Sequence, residues 1–438
     1  MIVYTYKKEK VNLAEKPFSS GGEGEVRSVA TCPSRFSNVC AKLYFKPTVE
    51  QEKKIRFMVE NPPQNIVGKS MMLAWPLETI YKQDGTFVGF LMPMAFPDSK
   101  KLSILVVPKL KAALKDKWYK FDKEYDVKCA LISRMKLINN IALPIYFLHS
   151  TDKYVLKDFK PDNVLVTSTG EVAIVDMDSI QICNKGKLIF PGTAATDNYI
   201  PPEFYKGVGQ NKQDILQESW DNFAISVVFY QLLFGLHPYV VTPFVDSEES
   251  STIPYCVKEN LFPFGNNASK VKSYASPHDN FKIVPDAVQK LFVRAFGSNP
   301  DDRPQTEEWI KTIKKVIDDS GVYLPPPPKD VEHSVEIVTS SNGSATLSLT
   351  KAKSGTVIYI YSQPDKGYEV SRITCSSKNG ETNIGKQLSF SMPDSNVVVR
   401  VEFEKKEKTP SGIVWKVVIG VIAWVAAIVL LLYMLTNG

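Results

Sequence analysis

The sequence predicts an α+β fold, followed by a small all-β domain and one transmembrane helix. Three observations support this prediction. Short apolar runs typical of strands alternate with helical patterns over residues 1–320. Residues 331–405 contain strand-like runs separated by Gly and Asn turns. Residues 417–435 form an apolar stretch without a charge. A four-proline run lies within 321–330, where we expect a stiff linker between the first two domains.

The composition excludes several classes of protein. A net charge of +6, from 53 basic and 47 acidic residues, is too small to indicate nucleic-acid binding. Six cysteines without a Cys-x-x-Cys pair favour reduced thiols over a disulfide framework or a zinc site. The first residues lack an apolar h-region, so we expect no signal peptide.

A hairpin near the middle of the chain organises the candidate site. Two strand-like runs, 164–166 and 172–175, flank a Ser-Thr-Gly turn. A hairpin holds its two ends close together, so Asp158 and Asn163 before it can approach Asp176 after it. Oxygen ligands of this kind suit Mg²⁺ carried by a nucleotide phosphate. An Asp close to a Lys suits a base that orients a hydroxyl while a cation stabilises a transferred phosphoryl group.

The loop before the hairpin reads Asp158-Phe-Lys160-Pro-Asp-Asn163, which resembles the Asp-x-Lys-x-x-Asn catalytic loop of protein kinases. Asp176-Met-Asp178 stands where kinases have Asp-Phe-Gly. The resemblance covers about residues 10–318. It implies a bilobal protein-kinase fold over 1–320 that uses ATP and Mg²⁺. Asp158 would orient the acceptor hydroxyl and accept its proton, Lys160 would stabilise the phosphoryl group, and Asn163 and Asp176 would bind Mg²⁺.

Two departures from the kinase pattern leave a second interpretation open beside the kinase. Leu156-Lys157 replaces the His-Arg that precedes the catalytic Asp, and Met177-Asp178 replaces Phe-Gly. The alternative is a pseudokinase that acts as a nucleotide-binding signalling scaffold.

A glycine-rich turn and a strand that ends in Lys42 resemble the nucleotide-binding lobe of kinases. Glycines allow the backbone N–H groups to approach phosphates closely. Lys42 would hold the α- and β-phosphates. A helix is predicted from Thr48 to Glu60, and Glu52 is the expected partner of Lys42, with Glu50 as the rival. The other nucleotide-binding positions implied by the resemblance are Gly21, Gly22, Gly24, Val26, Cys40, Met92, Pro93, Ala95 and Leu165.

Later residues distinguish protein kinases from small-molecule phosphotransferases, which share the catalytic loop. Tyr199-Ile-Pro-Pro-Glu203 resembles the Ala-Pro-Glu element, and Thr196 occupies the place of the threonine that steadies the catalytic Asp in Ser/Thr kinases. By the same resemblance, Asp221 would cap the catalytic loop and Arg303 would pair with Glu203. A protein substrate with Ser or Thr is therefore expected. His149 is expected to be a packed residue at a helix end.

The region 331–405 is predicted to be a small antiparallel β domain. Gly367-Tyr-Glu-Val and Phe390-Ser-Met-Pro-Asp-Ser-Asn-Val resemble a small bacterial repeat domain common in surface proteins, which implies adhesion or ligand sensing.

The transmembrane helix is predicted over 413–435. Its 19 uncharged residues, 417–435, span about 28 Å as a helix, close to the hydrocarbon thickness of a bilayer. Lys405, Lys406, Lys408 and Lys416 precede these uncharged residues, so the positive-inside rule places the kinase and the β domain in the cytoplasm. The sequence thus predicts a single-pass Ser/Thr protein kinase of a bacterial inner membrane. Insertion of the helix is expected to be post-translational, because it comes so late in the sequence.

Overall fold

The computed structural model describes residues 1–124, 126–245, 247–321, 332–353, 356–378, 380–385, 388–393 and 395–406. The chain divides into two compact units, Met1–Leu324 and Pro325–Gly438. The predicted transmembrane helix at 413–435 and all but the first residue of the predicted linker lie outside the described residues. Within the described ranges, no helix combines the length and the apolar character needed to cross a bilayer.

The first part of unit 1 is an antiparallel sheet with one helix against it. The sheet has the order β2-β1-β7-β8-β5-β4-β3, and β2 also pairs with β4. Its strands are β1 (Ile2–Thr5), β2 (Lys10–Leu13), β3 (Ser19–Ser20), β4 (Gly24–Thr31), β5 (Val39–Tyr44), β7 (Glu78–Tyr81) and β8 (Phe87–Pro93), while β6 (Met71–Leu73) joins another sheet.

Helix α1 (Val49–Glu60) confirms the predicted helix. Its N-cap is Thr48, whose side chain accepts from the backbone N–H of Gln51, and the Gln51 side chain accepts from the backbone of Thr48 in return. The helix buries Ile55 and Met58 in the main core. This apolar stripe fixes which face of the helix is turned inward.

The second part of unit 1 is mainly helical. Its helices are α2 (Lys115–Trp118), α3 (Val127–His149), α4 (Glu218–Phe234), α5 (Ile253–Lys258), α6 (Asp286–Ala295) and α7 (Thr306–Asp319). Helix α4 is buried along nearly its whole length, which explains its almost uninterrupted apolar sequence. The short strands are β9 (Lys100–Lys101), β10 (Tyr154–Val155), β11 (Val164–Val166), β12 (Val172–Ile174), β13 (Gln181–Asn184), β14 (Lys187–Phe190), β15 (Val241–Pro243) and β16 (Val271–Tyr274).

The predicted hairpin is confirmed. Strands β11 and β12 pair antiparallel, with Leu165 opposite Ala173. On its two sides, β12 pairs with β6 in parallel and β11 pairs with β9. The sheet therefore holds the start of β11 and the end of β12 at the same edge, and the candidate site residues emerge there.

The second unit is all-β in its described residues. Its strands are β17 (Glu332–Thr339), β18 (Gly343–Leu347), β19 (Lys351–Lys353), β20 (Val357–Pro364), β21 (Tyr368–Ser377), β22 (Gly380–Gly385), β23 (Ser389–Ser391) and β24 (Val397–Lys405). They form two sheets, β19-β17-β24-β21-β22 and β18-β20-β23. The prediction of a purely antiparallel domain is wrong, because β17 and β24 pair in parallel. Alternating apolar residues predict strands, but they do not reveal that the first and last strands are neighbours.

Candidate active site

The carboxylate of Asp158 is buried and is held at both oxygens. The Thr196 hydroxyl donates to Oδ1 at 2.6 Å, and the Lys160 ammonium donates to Oδ2 at 2.6 Å. Lys160 also donates to the Thr196 hydroxyl at 2.8 Å, which closes a three-membered network. Because both oxygens are fixed, the carboxylate has one defined orientation.

The loop that contains Asp158 is fixed from below by Asp221 on helix α4. Asp221 is fully buried, and it accepts from the backbone N–H groups of Leu156 at 2.6 Å and Lys157 at 2.9 Å. Lys157 has a positive φ of 64°, which is uncommon for a residue other than Gly. The two N–H bonds to Asp221 stabilise this backbone conformation.

Asn163 and Asp176 carry oxygen donors of the kind that bind Mg²⁺, and they flank the β11–β12 hairpin. The Asn163 side-chain N–H donates to the Asp158 carbonyl at 3.0 Å, so its amide oxygen is the atom left to coordinate a cation. The Asn163 carbonyl accepts from the N–H of Val175 at 2.9 Å, which holds Asn163 beside the residue before Asp176. The Asp176 side chain is 43% exposed. An Asn oxygen together with an accessible carboxylate fits Mg²⁺.

Lys42 contacts two carboxylates at the end of the hairpin. Its ammonium lies 2.8 Å from Asp176 Oδ1 and 2.6 Å from Asp178 Oδ1. Burial alone would lower the pKa of Lys42, but these carboxylates raise it above its ordinary value. Lys42 therefore stays protonated, which suits the phosphate-binding role that the resemblance implies.

The predicted pairing of Lys42 with Glu52 is not found in the structure. Glu52 instead accepts a hydrogen bond from the Tyr81 hydroxyl at 3.0 Å. The physical reason is the rotation of helix α1, which turns Lys54, and not Glu52, into the buried face beside Ile55 and Met58. The rival, Glu50, is exposed at the start of the helix.

Asp178 is the functional residue whose role the sequence interpretation missed. It is buried, and it accepts from both Lys42 and the Tyr44 hydroxyl, the latter at 2.7 Å. Burial works to raise the pKa of Asp178, but Lys42 and Tyr44 lower it below the ordinary value. The available signal was an acidic residue standing where the kinase pattern has Gly.

The glycine-rich turn joins strands β3 and β4, which pair antiparallel. A Cβ at Gly24 would lie 2.3 Å from the Leu43 carbonyl oxygen, so this position requires Gly. A Cβ at Gly22 would meet nothing within 4 Å, and Gly21 and Gly22 are both exposed. The exposed backbone can therefore approach a phosphate group. Val26 pairs with Lys42 across the adjoining strands.

The predicted adenine-binding residues lie in strands of two different sheets or just after them. Cys40 is paired with Met92 in the strand register, and Val39 with Pro93. Burial raises the pKa of Cys40 to about 12, so its thiol is a neutral, apolar wall. Ala95 is partly buried just after β8, and Leu165 is partly buried in β11.

Glu203 and Arg303 form a bidentate ion pair in unit 1. Both Arg303 terminal nitrogens lie 2.7 Å from Glu203 oxygens, and one of them also donates to the Ser219 carbonyl at 2.9 Å. The Arg303 side chain is only 1% exposed. This geometry links the segment after Thr196 to the start of helix α4.

The family described as "Protein kinase domain" matches residues 102–313. The chain contains a protein kinase domain. A second family, described as "Divergent InlB B-repeat domain", matches residues 333–407, which confirms the resemblance of the β domain to a bacterial repeat. The kinase-family match begins after β9, so the glycine-rich turn and Lys42 lie outside it. Their assignment to a nucleotide-binding lobe therefore depends on their geometry.

Relatives of the kinase domain include bacterial and eukaryotic proteins. Serine/threonine-protein kinase PknD of Chlamydia trachomatis is 30% identical over 220 residues, 44% of this chain and 21% of that protein. Dual specificity protein kinase shkA of Dictyostelium discoideum is 22% identical over 201 residues, 44% of this chain and 33% of that protein. Citron Rho-interacting kinase of Mus musculus is 27% identical over 99 residues, 23% of this chain and 5% of that protein. The chain therefore spans a third or less of each of these relatives.

His149 is buried at the end of helix α3, as expected, and it contacts two carboxylates. Its Nε2 lies 2.9 Å from Asp221 and its Nδ1 lies 3.3 Å from Glu218. Burial alone would lower the pKa of His149, but Asp221 and Glu218 raise it to about 9.

A pH prediction follows from His149. Because its folded pKa exceeds the unfolded value of about 6.5, its stabilisation is complete below pH 6.5 and is lost as pH rises toward 9. The effect is on the order of 3 kcal/mol. Urea unfolding of residues 1–324 and of His149→Gln should show a stability difference that shrinks over this interval. His237→Gln is the matched control, because burial lowers the pKa of His237 to about 4 and its effect should be constant. A constant difference for His149→Gln would contradict the prediction.

Proposed function

We propose that this chain is a serine/threonine protein kinase that transfers the γ-phosphoryl group of ATP to a hydroxyl of a protein substrate. The observation that supports this most is the closed network of Asp158, Lys160 and Thr196. It places a fixed carboxylate and a cation on one loop, next to the Asn and Asp that suit Mg²⁺. The network uses a threonine from the segment that precedes Glu203, where a protein acceptor would approach.

Each residue has one task in this mechanism. Asp158 orients the acceptor hydroxyl and takes up its proton, and Lys160 stabilises the charge of the phosphoryl group during transfer. Lys42 positions the α- and β-phosphates. Asn163 and Asp176 would hold Mg²⁺, which neutralises phosphate charge when bound.

The two departures from the kinase pattern do not disturb the geometry that transfer requires. The backbones of Leu156 and Lys157 are still bound by Asp221, and Asp178 still leaves the Asp176 side chain accessible. This favours an active kinase over a pseudokinase scaffold. The buried Glu203–Arg303 pair disfavours a small-molecule phosphotransferase, which usually lacks it.

The test is a transfer assay with the full chain, Mg-ATP labelled at the γ-phosphate, and dephosphorylated casein as a generic acceptor. We expect label on serine and threonine after acid hydrolysis of the acceptor, and loss of labelling when Mg²⁺ is chelated. Labelling of tyrosine alone would overturn the proposed acceptor class. ATP binding without any labelling of casein or of other generic acceptors would favour the scaffold.

Activity is expected to depend little on phosphorylation of residues 179–199. Lys157 replaces the Arg that receives the phosphate in other kinases, and Lys is the poorer bidentate partner. Its ammonium already donates to the Gly192 carbonyl at 3.1 Å. Phosphatase-treated and mock-treated enzyme should therefore have equal transfer rates within about twofold. A tenfold loss after treatment would show that a phosphate in this segment controls the enzyme.

We further propose that the apolar residues 417–435 anchor the chain in the bacterial inner membrane, with the kinase domain in the cytoplasm. The support is the sequence itself: the stretch is long enough to span the hydrocarbon, and lysines precede it. ATP is available on that side.

The anchor is tested by removing residues 417–438. The shortened chain should move from the membrane fraction to the soluble fraction and still bind ATP. Protease added outside spheroplasts should leave the kinase and β domains of the full chain intact. Cleavage of the β domain from outside would reverse the orientation and exclude cytoplasmic ATP as the substrate.

A further inference from the structure

The charges around Lys42 are arranged differently from the pattern that the sequence analysis expected. The two carboxylate oxygens of Asp178 lie 2.6 Å and 2.8 Å from the Lys42 ammonium. The Asp178 side chain is 4% exposed, whereas that of Asp176, the other partner of Lys42, is 43% exposed. The Tyr44 hydroxyl donates to the same carboxylate. Asp178 is therefore the buried, fully bonded partner, and Asp176 remains accessible to a cation.

Helix α1 places no carboxylate against Lys42 in this structure, where the partners of Lys42 are Asp176 and Asp178. Its buried face presents Lys54, whose ammonium has no hydrogen-bond partner among the described residues. Burial lowers the pKa of Lys54 to about 8, although Asp178 and Glu23 act to raise it. Glu52 is bound to Tyr81 instead. Lys54 thus adds a second positive charge near Asp178.

We propose that Asp178, and not a carboxylate on helix α1, is the positioning residue that holds Lys42 ready for the nucleotide phosphates. This inference rests on the proposed kinase function. It adds that nucleotide binding is not controlled by the position of helix α1. Asp178 belongs to the single turn Met177–Ser179, directly after Asp176. The anchor of Lys42 and the proposed metal carboxylate therefore move as one segment. A displacement of helix α1 leaves this anchor intact, so helix position does not switch nucleotide binding on or off.

The test compares Asp178→Asn with Glu52→Gln, a matched loss of one carboxylate charge on helix α1. Both are made in the full chain, and the affinity for a fluorescent ATP analogue and the KM and kcat for ATP are measured. Asp178→Asn should weaken nucleotide affinity at least tenfold while the KM for the acceptor protein stays unchanged. Glu52→Gln should stay within threefold of the wild type. Equal effects of the two variants, or no effect of Asp178→Asn, would overturn the proposal.

A double-mutant cycle shows whether Asp178 acts through Lys42. With Lys42→Met in place, adding Asp178→Asn should weaken nucleotide affinity by no more than twofold. If the two substitutions weaken nucleotide affinity independently, so that their fold-losses multiply, the proposal is overturned. If Asp178→Asn does not fold, Tyr44→Phe removes one hydrogen bond from Asp178 without changing charge. It should weaken affinity by about threefold or more, and wild-type affinity would overturn the proposal.

The proposal and the kinase function fail in different ways. If the wild type binds the nucleotide but transfers no phosphate, the proposed function is wrong. The affinities of Asp178→Asn and Glu52→Gln then still decide which carboxylate positions Lys42.

Discussion

Asp158→Asn is expected to reduce the rate of phosphoryl transfer by about 10²–10⁴-fold while leaving ATP affinity within a fewfold of the wild type. The amide cannot accept the proton of the acceptor hydroxyl. It also loses the charge that holds Lys160 at 2.6 Å. Nucleotide affinity is preserved because Asp158 makes no hydrogen bond with Lys42 or Asp176 in the structure.

The measurement for this variant is kcat with a protein acceptor, together with the affinity for an ATP analogue. Asp162→Asn is the matched control, because it lies on the same loop but is exposed. It should keep the wild-type rate within about threefold. Near-native turnover of Asp158→Asn would show that the proton is accepted elsewhere.

Arg303→Met is expected to have the largest effect on stability, about 3–5 kcal/mol. The substitution leaves the Glu203 carboxylate, 14% exposed in its side chain, without its bidentate partner. It also removes the bond to the Ser219 carbonyl. Breaking such a pair costs more than the pair contributes, because one charge stays behind with most of its contact with water removed.

Urea unfolding of residues 1–324 checks this value. Arg294→Met is the matched control, since Arg294 forms an ion pair with Glu308 but both side chains are more than 40% exposed. Arg294→Met should lower the free energy of unfolding by about 1 kcal/mol or less. The double variant Arg303→Met with Glu203→Leu should recover part of the stability, because apolar residues can replace a buried pair. Equal losses for Arg303→Met and Arg294→Met would contradict the prediction.

The parts of the site that follow from local sequence were predictable. The hairpin, the loop before it and the N-cap at Thr48 each depend on residues close together in the chain. Their motif spacing also brought Asp158, Asn163 and Asp176 to one edge of the sheet. The pairing of Glu203 with Arg303, a hundred residues apart, came from the family resemblance and not from local pattern.

The partner of Lys42 was not predictable in the same way, because it depends on the rotation of a helix. Packing of Ile55 and Met58 decides that Lys54 turns inward and Glu52 outward to Tyr81. The apolar spacing of positions 55 and 58 is visible in the sequence, but it does not separate Lys54 from Glu52, and the analogy with other kinases points to Glu52.

The topology of the β domain was hidden for a different reason. Alternation of apolar residues indicates which face of a strand is buried, but it does not indicate which other strand pairs with it. The parallel pairing of β17 with β24 joins segments about sixty residues apart. Nothing within either strand encodes that choice.

The most direct measurement of the central claim is a single-turnover reaction of the full chain with bound Mg-ATP and a protein acceptor. ADP and phosphorylated acceptor are quantified in the same samples. Transfer through Asp158 predicts one phosphorylated serine or threonine for each ADP formed, and neither product on that timescale with Asp158→Asn. ATP that stays bound and intact, or ADP that appears without phosphorylated protein in the acceptor or the chain itself, would contradict the proposed kinase mechanism.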